Sequence, residues 1–103
     1  DPLWVQTLND LKLSEEFLTY TVQELCRKLN YSRVQLNRLF NARYGMSPHE
    51  YLLSNRLLYA QNLLNNTDMN TTEIANVVGY SNLAQFNVVF KNKFGVTPGQ
   101  YRK

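Results

Sequence analysis

The sequence predicts an all-α fold of about seven helices, forming two helix-turn-helix subdomains joined by a long central helix. Three observations carry this expectation: an internal repeat, a series of recognisable helix starts and stops, and apolar residues at helical spacing. At 103 residues the chain reads as one domain over 1–103, large enough for a modest core.

The repeat comes first because it sets the architecture. Glu24, Tyr31 and Ser32 recur as Glu73, Tyr80 and Ser81. After one inserted residue, Gln35, Asn37, Phe40, Gly45, Pro48 and Tyr51 recur as Gln85, Asn87, Phe90, Gly95, Pro98 and Tyr101. Two copies of one supersecondary unit follow from that register.

Helix starts are read from small polar residues that precede Glu or Gln by three positions, where side chains can satisfy the first turn's unpaired amides. Thr21 with Glu24, Ser32 with Gln35, Ser47 with Glu50, Asn70 with Glu73 and Thr97 with Gln100 all fit. Gly45 and Gly95 supply the left-handed residue that closes a helix, and Pro48 and Pro98 open the next where no amide bond is lost. These signals place helices near 2 to 12, 22 to 29, 33 to 44, 48 to 65, 72 to 78 and 82 to 94, with a short one from 98. The first helix-turn-helix then covers about 22–44, the linker helix about 48–65 and the second helix-turn-helix about 72–94.

Apolar residues complete the pattern. Leu25 and Leu29; Leu36, Leu39, Phe40 and Tyr44; Ile74, Val77 and Val78; and Phe86, Val89, Phe90 and Phe94 each form a helical stripe expected to face a core. Trp4 and Phe17 are assigned to packing as well.

Composition narrows the class. The hydrophobic fraction is 44%, and no apolar run reaches the roughly 18 residues a membrane span requires. The chain opens without a basic-then-apolar leader, which leads to the expectation of a cytoplasmic protein. Cys26 is the one cysteine, so no internal disulfide is possible and its expected role is packing.

Net charge is +3, with an isoelectric point near 9.1, and the distribution says more than the total. From Leu25 to His49 the chain carries Arg27, Lys28, Arg33, Arg38 and Arg43 and no acid; from Ile74 to Lys103 it carries Lys91, Lys93, Arg102 and Lys103 and again no acid. Two acid-free stretches, one in each repeat, suit contact with a polyanion, because each cation near a phosphate releases condensed counterions.

The tight links between the paired helices are Asn30-Tyr31-Ser32 and Gly79-Tyr80-Ser81. A sharp corner between helices needs a residue tolerant of positive φ at its first position, and Asn and Gly accept it at least cost. Cys26 and Ala75 supply matching small positions in the preceding helices. The helix after such a corner is propped outward with its N-terminal end exposed, the geometry for entering a major groove of double-stranded DNA. The linker, about 18 residues and so roughly 27 Å long, compares with about 34 Å between successive major-groove faces.

With these residues in hand the chain resembles the DNA-binding domain of the AraC/XylS family of bacterial transcription regulators. The resemblance covers about residues 21 to 102. It is carried by Ile74, Ala75, Val78, Gly79, Tyr80, Ser81, Phe86, Phe90, Lys91, Phe94, Gly95, Pro98 and Tyr101, with Arg56, Leu57, Ala60 and Leu64 in the linker. It implies an output module that sits C-terminal to a sensing, dimerising or receiver domain, contacts RNA polymerase in the whole protein, and needs no cofactor. The isolated domain is expected to be monomeric, since nothing resembles a dimer seam.

Helical geometry sets Arg33, Val34, Asn37 and Arg38 opposite Leu36, Leu39 and Phe40, and these match base-reading positions of the family. Arg38 suits guanine O6 and N7, and Asn37 suits adenine or a phosphate. The second unit differs: Leu83, Ala84, Asn87 and Val88 stand at the equivalent positions, beside Asn82 and Gln85, and Val88 falls where the family often carries Arg. Three readings stay open there: thymine methyl contact through Leu83, Ala84 and Val88; a phosphate grip through Lys91 and Lys93; or packing of the apolar residues on another protein. Ser32 and Ser81, with the amides at the helix starts, are candidates for phosphate contacts. Arg56 is read as structural.

Enzymatic chemistry lacks its parts. Cys26 has no expected His partner in a cleft, no glycine-rich phosphate loop exists, and Glu15 and Glu16 fall in what reads as a polar linker. His49 is the one histidine, expected in the first turn of the linker facing solvent, and one such ligand does not make a metal site. A helical protein-interaction module is the alternative from a different class, motivated by the apolar second reading helix.

Overall fold

Side-chain caps set where the helices begin. Thr21, Ser32 and Asn70 each accept a hydrogen bond from the backbone amide three residues on, and the Glu or Gln at that position reaches back to the cap's own amide. Ser47 with Glu50 and Thr97 with Gln100 make the same reciprocal pair at 3.0 to 3.2 Å. Every pairing expected from the sequence is present.

In this computed structural model, which describes residues 1–102, the helices are α1 (Leu3–Leu11), α2 (Val22–Leu29), α3 (Arg33–Tyr44), α4 (Pro48–Asn66), α5 (Thr71–Val77), α6 (Leu83–Phe94) and α7 (Pro98–Arg102). No strand occurs among the described residues. Lys103, counted above among the basic residues, lies outside them. The chain is all-α, with helix ends within one residue of those expected.

One element was missed. Glu15–Thr19 forms a 3-10 turn, capped by the Ser14 side chain, where a polar linker was expected. The reason is packing: Phe17, Leu18 and Tyr20 are all buried, so the segment folds down onto apolar neighbours.

The chain divides into two compact units, Asp1–Leu53 and Ser54–Lys103. In the first, Trp4, Val5 and Leu8 of α1 join Phe17, Tyr20, Leu25, Leu29, Leu36, Phe40 and Leu52 in one buried cluster. Phe40 is fully buried, with the Trp4 ring at 5.5 Å, Tyr44 at 5.2 Å and Tyr51 edge-on at 5.2 Å. In the second unit Leu57, Ala60, Leu64, Ile74, Ala75, Val78, Tyr80, Phe86 and Phe90 form the core. Phe94 and Tyr101 flank Phe90 at 4.5 and 5.8 Å. Aromatic pairs at these separations add about 0.5 to 1.5 kcal/mol each beyond area burial.

Val77 departs from its expected core stripe and is 41% exposed. The short α5 turns Ile74, Ala75 and Val78 inward instead, and Ala75 lets its neighbours approach closely.

Candidate nucleic-acid interface

Both corners are built as the sequence requires. Asn30 adopts φ 60°, ψ 41° at the end of α2, the one non-glycine at positive φ among the described residues, and Gly79 adopts φ 95° at the matching place. The chain then closes each corner with the same bond: Tyr31 N–H donates to the Cys26 carbonyl at 3.1 Å, and Tyr80 N–H to the Ala75 carbonyl at 2.8 Å. These bonds satisfy carbonyls the preceding helix would leave open. Tyr80 is buried beneath its corner; desolvation raises its phenol's pKa, partly countered by the Arg56 charge.

In the first unit α3 buries Leu36 and Phe40 and leaves Ser32, Arg33, Val34, Asn37 and Arg38 exposed. Val34 is 69% exposed, a large apolar fraction for a residue with a core available below it. Asn41, one turn on, donates to the Asn37 backbone carbonyl at 2.7 Å and to Asn37 Oδ1 at 3.2 Å. That bond orients the Asn37 amide. The fold also adds a residue that the sequence left apart: His49 lines one open groove with Val22, Arg33, Val34, Asn37, Ser47 and Pro48. Its signal was its place in the first turn after Pro48, which gains meaning only once α4 folds back beside α3.

The second unit repeats the helix but changes its start. The cap of α6 is Asn82, whose side chain accepts from the Gln85 amide at 3.1 Å. Ser81, equated with Ser32 by the repeat, therefore lies one residue before the cap. The inserted residue has moved the cap. No reciprocal bond ties the Gln85 side chain to the helix start, in contrast to Gln35, whose Oε1 accepts from Ser32 N–H at 3.0 Å. Along α6, Phe86 and Phe90 are buried, Leu83 and Asn87 are half-buried, and Ala84, Gln85, Val88 and Lys91 are exposed. Val88 is 58% exposed.

Two of the basic residues counted from the sequence are committed within the protein. Arg43 Nη2 sits 3.0 Å from the Asp1 carboxylate. Arg102 donates to the carbonyls of Leu63, Leu64, Thr67 and Met69 at the end of α4 and just beyond. Arg27, Lys28, Arg33 and Arg38 of the first unit and Lys91 and Lys93 of the second stay exposed. Among the described residues no cluster of metal-ligating side chains occurs, and no helix is long and apolar enough to cross a membrane.

Comparison with known proteins agrees with this architecture. The family described as a helix-turn-helix domain matches residues 25–103. The Msm operon regulatory protein of Streptococcus mutans is 39% identical over 82 residues, which cover 80% of this chain and 30% of that protein. The C-terminal domain of the two-component response regulator yesN from Fusobacterium nucleatum superposes with a TM-score of 0.82 at 32% identity, over 95% of each chain. A Chromobacterium violaceum transcriptional regulator described as containing an AraC-type DNA-binding domain gives a TM-score of 0.82 at 28% identity, over 93% of this chain and 88% of that one. This chain spans about a third or less of the curated relatives it matches. With two capped helices, each following a positive-φ corner, and a family match over most of its length, the chain belongs to the AraC-type helix-turn-helix family.

Proposed function

We propose that this domain binds double-stranded DNA sequence-specifically, as the output module of a bacterial transcription regulator. Each unit inserts the second helix of its pair, α3 or α6, into a major groove of the same duplex. One observation carries the reading: α3 holds Arg33, Val34, Asn37 and Arg38 exposed on a single face while Leu36 and Phe40 anchor the opposite face. That face is rigid, basic and free of acids, as base reading requires.

Roles follow from chemistry. Arg38 presents a planar fork to guanine O6 and N7, and Asn37, oriented by Asn41, presents its amide to adenine or a phosphate. Ser32, Asn82 and the amides of the first turns face phosphates, aided by the positive end of each helix dipole; Ser81 contributes from just outside α6. Lys91 neutralises backbone charge. In the cell the domain acts in the cytoplasm as a monomeric module, with RNA polymerase contact and any dimerisation belonging to the whole protein.

The test is affinity for duplexes recovered from a randomised pool, measured across salt. A steep fall of log affinity with log salt is expected, roughly 0.9 per phosphate neutralised. Arg38→Ala is expected to lower affinity for the recovered site by about 1 to 3 kcal/mol and to leave random duplex much less affected. Weak binding with no salt slope overturns the proposal, and equal losses on both duplexes remove base reading from Arg38.

A further inference from the structure

Ala84 and Val88 lie one turn apart on α6, both exposed, with Lys91 exposed at the next position along the same face. Leu83, the other apolar residue of this face, packs against the second core and leaves the exposed surface to the pair. The repeat sets Val88 where α3 carries Arg38. We infer that α6 reads thymine: Val88, with Ala84, forms a small apolar shelf that receives the C5-methyl group of a thymine in the major groove. This rests on the DNA-binding reading above and gives the second unit a base preference of its own.

The chemistry favours a methyl group on DNA over a protein surface. From Ile74 to Arg102 there is no acid, and Lys91 stands one turn beyond Val88 on the same face, so the occupant of the shelf carries negative charge nearby. Two small side chains offer far less apolar area than the core of a stable protein interface. Thymine alone among the bases shows a methyl group in the major groove, and Ala and other apolar side chains are its usual contacts. Val88 is also poorly suited to a helix interior on intrinsic propensity, because branching at Cβ restricts its rotamers there. Its exposed methyls contribute nothing to the second core.

The experiment uses duplexes recovered from a randomised pool, resynthesised with deoxyuridine in place of each thymine in turn, which removes one methyl and nothing else. At one or two thymines confined to one half of the site, wild-type affinity is expected to fall about fourfold, the worth of one buried methyl group. Val88→Ala, a surface change that leaves melting unaltered, is expected to lose a similar factor on the thymine duplex and to become indifferent to deoxyuridine. A recovered site with no thymine preference in that half overturns the inference, as does a deoxyuridine penalty that persists in Val88→Ala. Identical DNA binding by both chains does so too and assigns the shelf to a protein contact. In each of these cases salt-dependent duplex binding is intact and the DNA-binding reading stands; loss of all duplex binding removes both.

Discussion

Arg102 Nη2 donates to the Thr67 carbonyl oxygen at 3.0 Å, joining α7 to the loop after α4. Its Nε and Nη2 also reach the Leu64 and Leu63 carbonyls at 3.3 and 3.4 Å. The guanidinium thereby satisfies carbonyls that a helix C-terminus leaves open, and places positive charge at the negative end of the α4 dipole.

Arg102→Ala is therefore expected to act on stability. Removing one charged donor from several carbonyls costs about 1 to 3 kcal/mol, which for a chain of this size lowers the melting temperature by roughly 5 °C per kcal/mol. The salt slope of DNA binding is expected to stay unchanged. A slope reduced by about one, with melting unaffected, would return Arg102 to the phosphate-binding set.

The corner residues give a second prediction. Asn30→Gly is expected to be close to neutral, whereas Asn30→Ala costs about 1 kcal/mol and Asn30→Val more, because a Cβ opposes the left-handed conformation. Gly95, at φ 84°, has nothing within 4 Å of where a Cβ would stand. Gly95→Ala thus measures backbone strain alone, again about 1 kcal/mol. Chemical denaturation of the four variants tests this, and an Ala variant at Asn30 as stable as the Gly variant would contradict it.

Two helix starts carry acid sensitivity. Glu24 accepts from the Thr21 amide and hydroxyl, both at 3.1 Å, and these bonds hold its pKa below the ordinary 4.5, with Arg27 and Lys28 adding to the effect. Glu50 is lowered in the same way by Ser47, with a smaller contribution from His49. Carboxylates whose folded pKa is depressed stabilise fully above the unfolded value and lose that contribution as pH falls through the folded one. Thermal melts are expected to drop as pH falls below about 5. The double variant Glu24→Gln with Glu50→Gln is expected to make that acid limb shallower, since a glutamine can accept from the cap amide without titrating. An acid limb as steep in the double variant as in wild type would remove these caps as its cause.

The two reading helices also differ in a way that can be exchanged. Val88→Arg gives α6 the residue that α3 carries as Arg38. It is expected to shift the preferred base in the second half of the site toward guanine, by about 1 to 3 kcal/mol for a bidentate pair. Site selection from a random pool checks this; an unchanged consensus would mean that α6 does not face base edges at this position.

The helix starts, the two positive-φ corners and the core stripes were legible in the sequence because each is local. A cap needs only its own residue and the one three positions on, and a corner needs one residue that tolerates left-handed backbone. Val77 and the Glu15–Thr19 turn were not legible, since what buries or exposes them lies elsewhere in the chain. That Arg33, Val34, Asn37 and Arg38 share the exposed face of α3 was legible from periodicity.

Charge shows where local reading ends. The sequence by itself determined that each repeat holds a stretch with cations and no acids, from Leu25 to His49 and from Ile74 onward, because composition does not depend on folding. Only the tertiary structure decided which cations remain available: Arg43 meets Asp1 from the far end of its unit, and Arg102 turns back onto carbonyls some 35 positions earlier. It likewise brought His49 beside Arg33 and Asn37 in one groove. Partnerships of that span depend on how helices pack, and periodicity along a single helix holds no record of them.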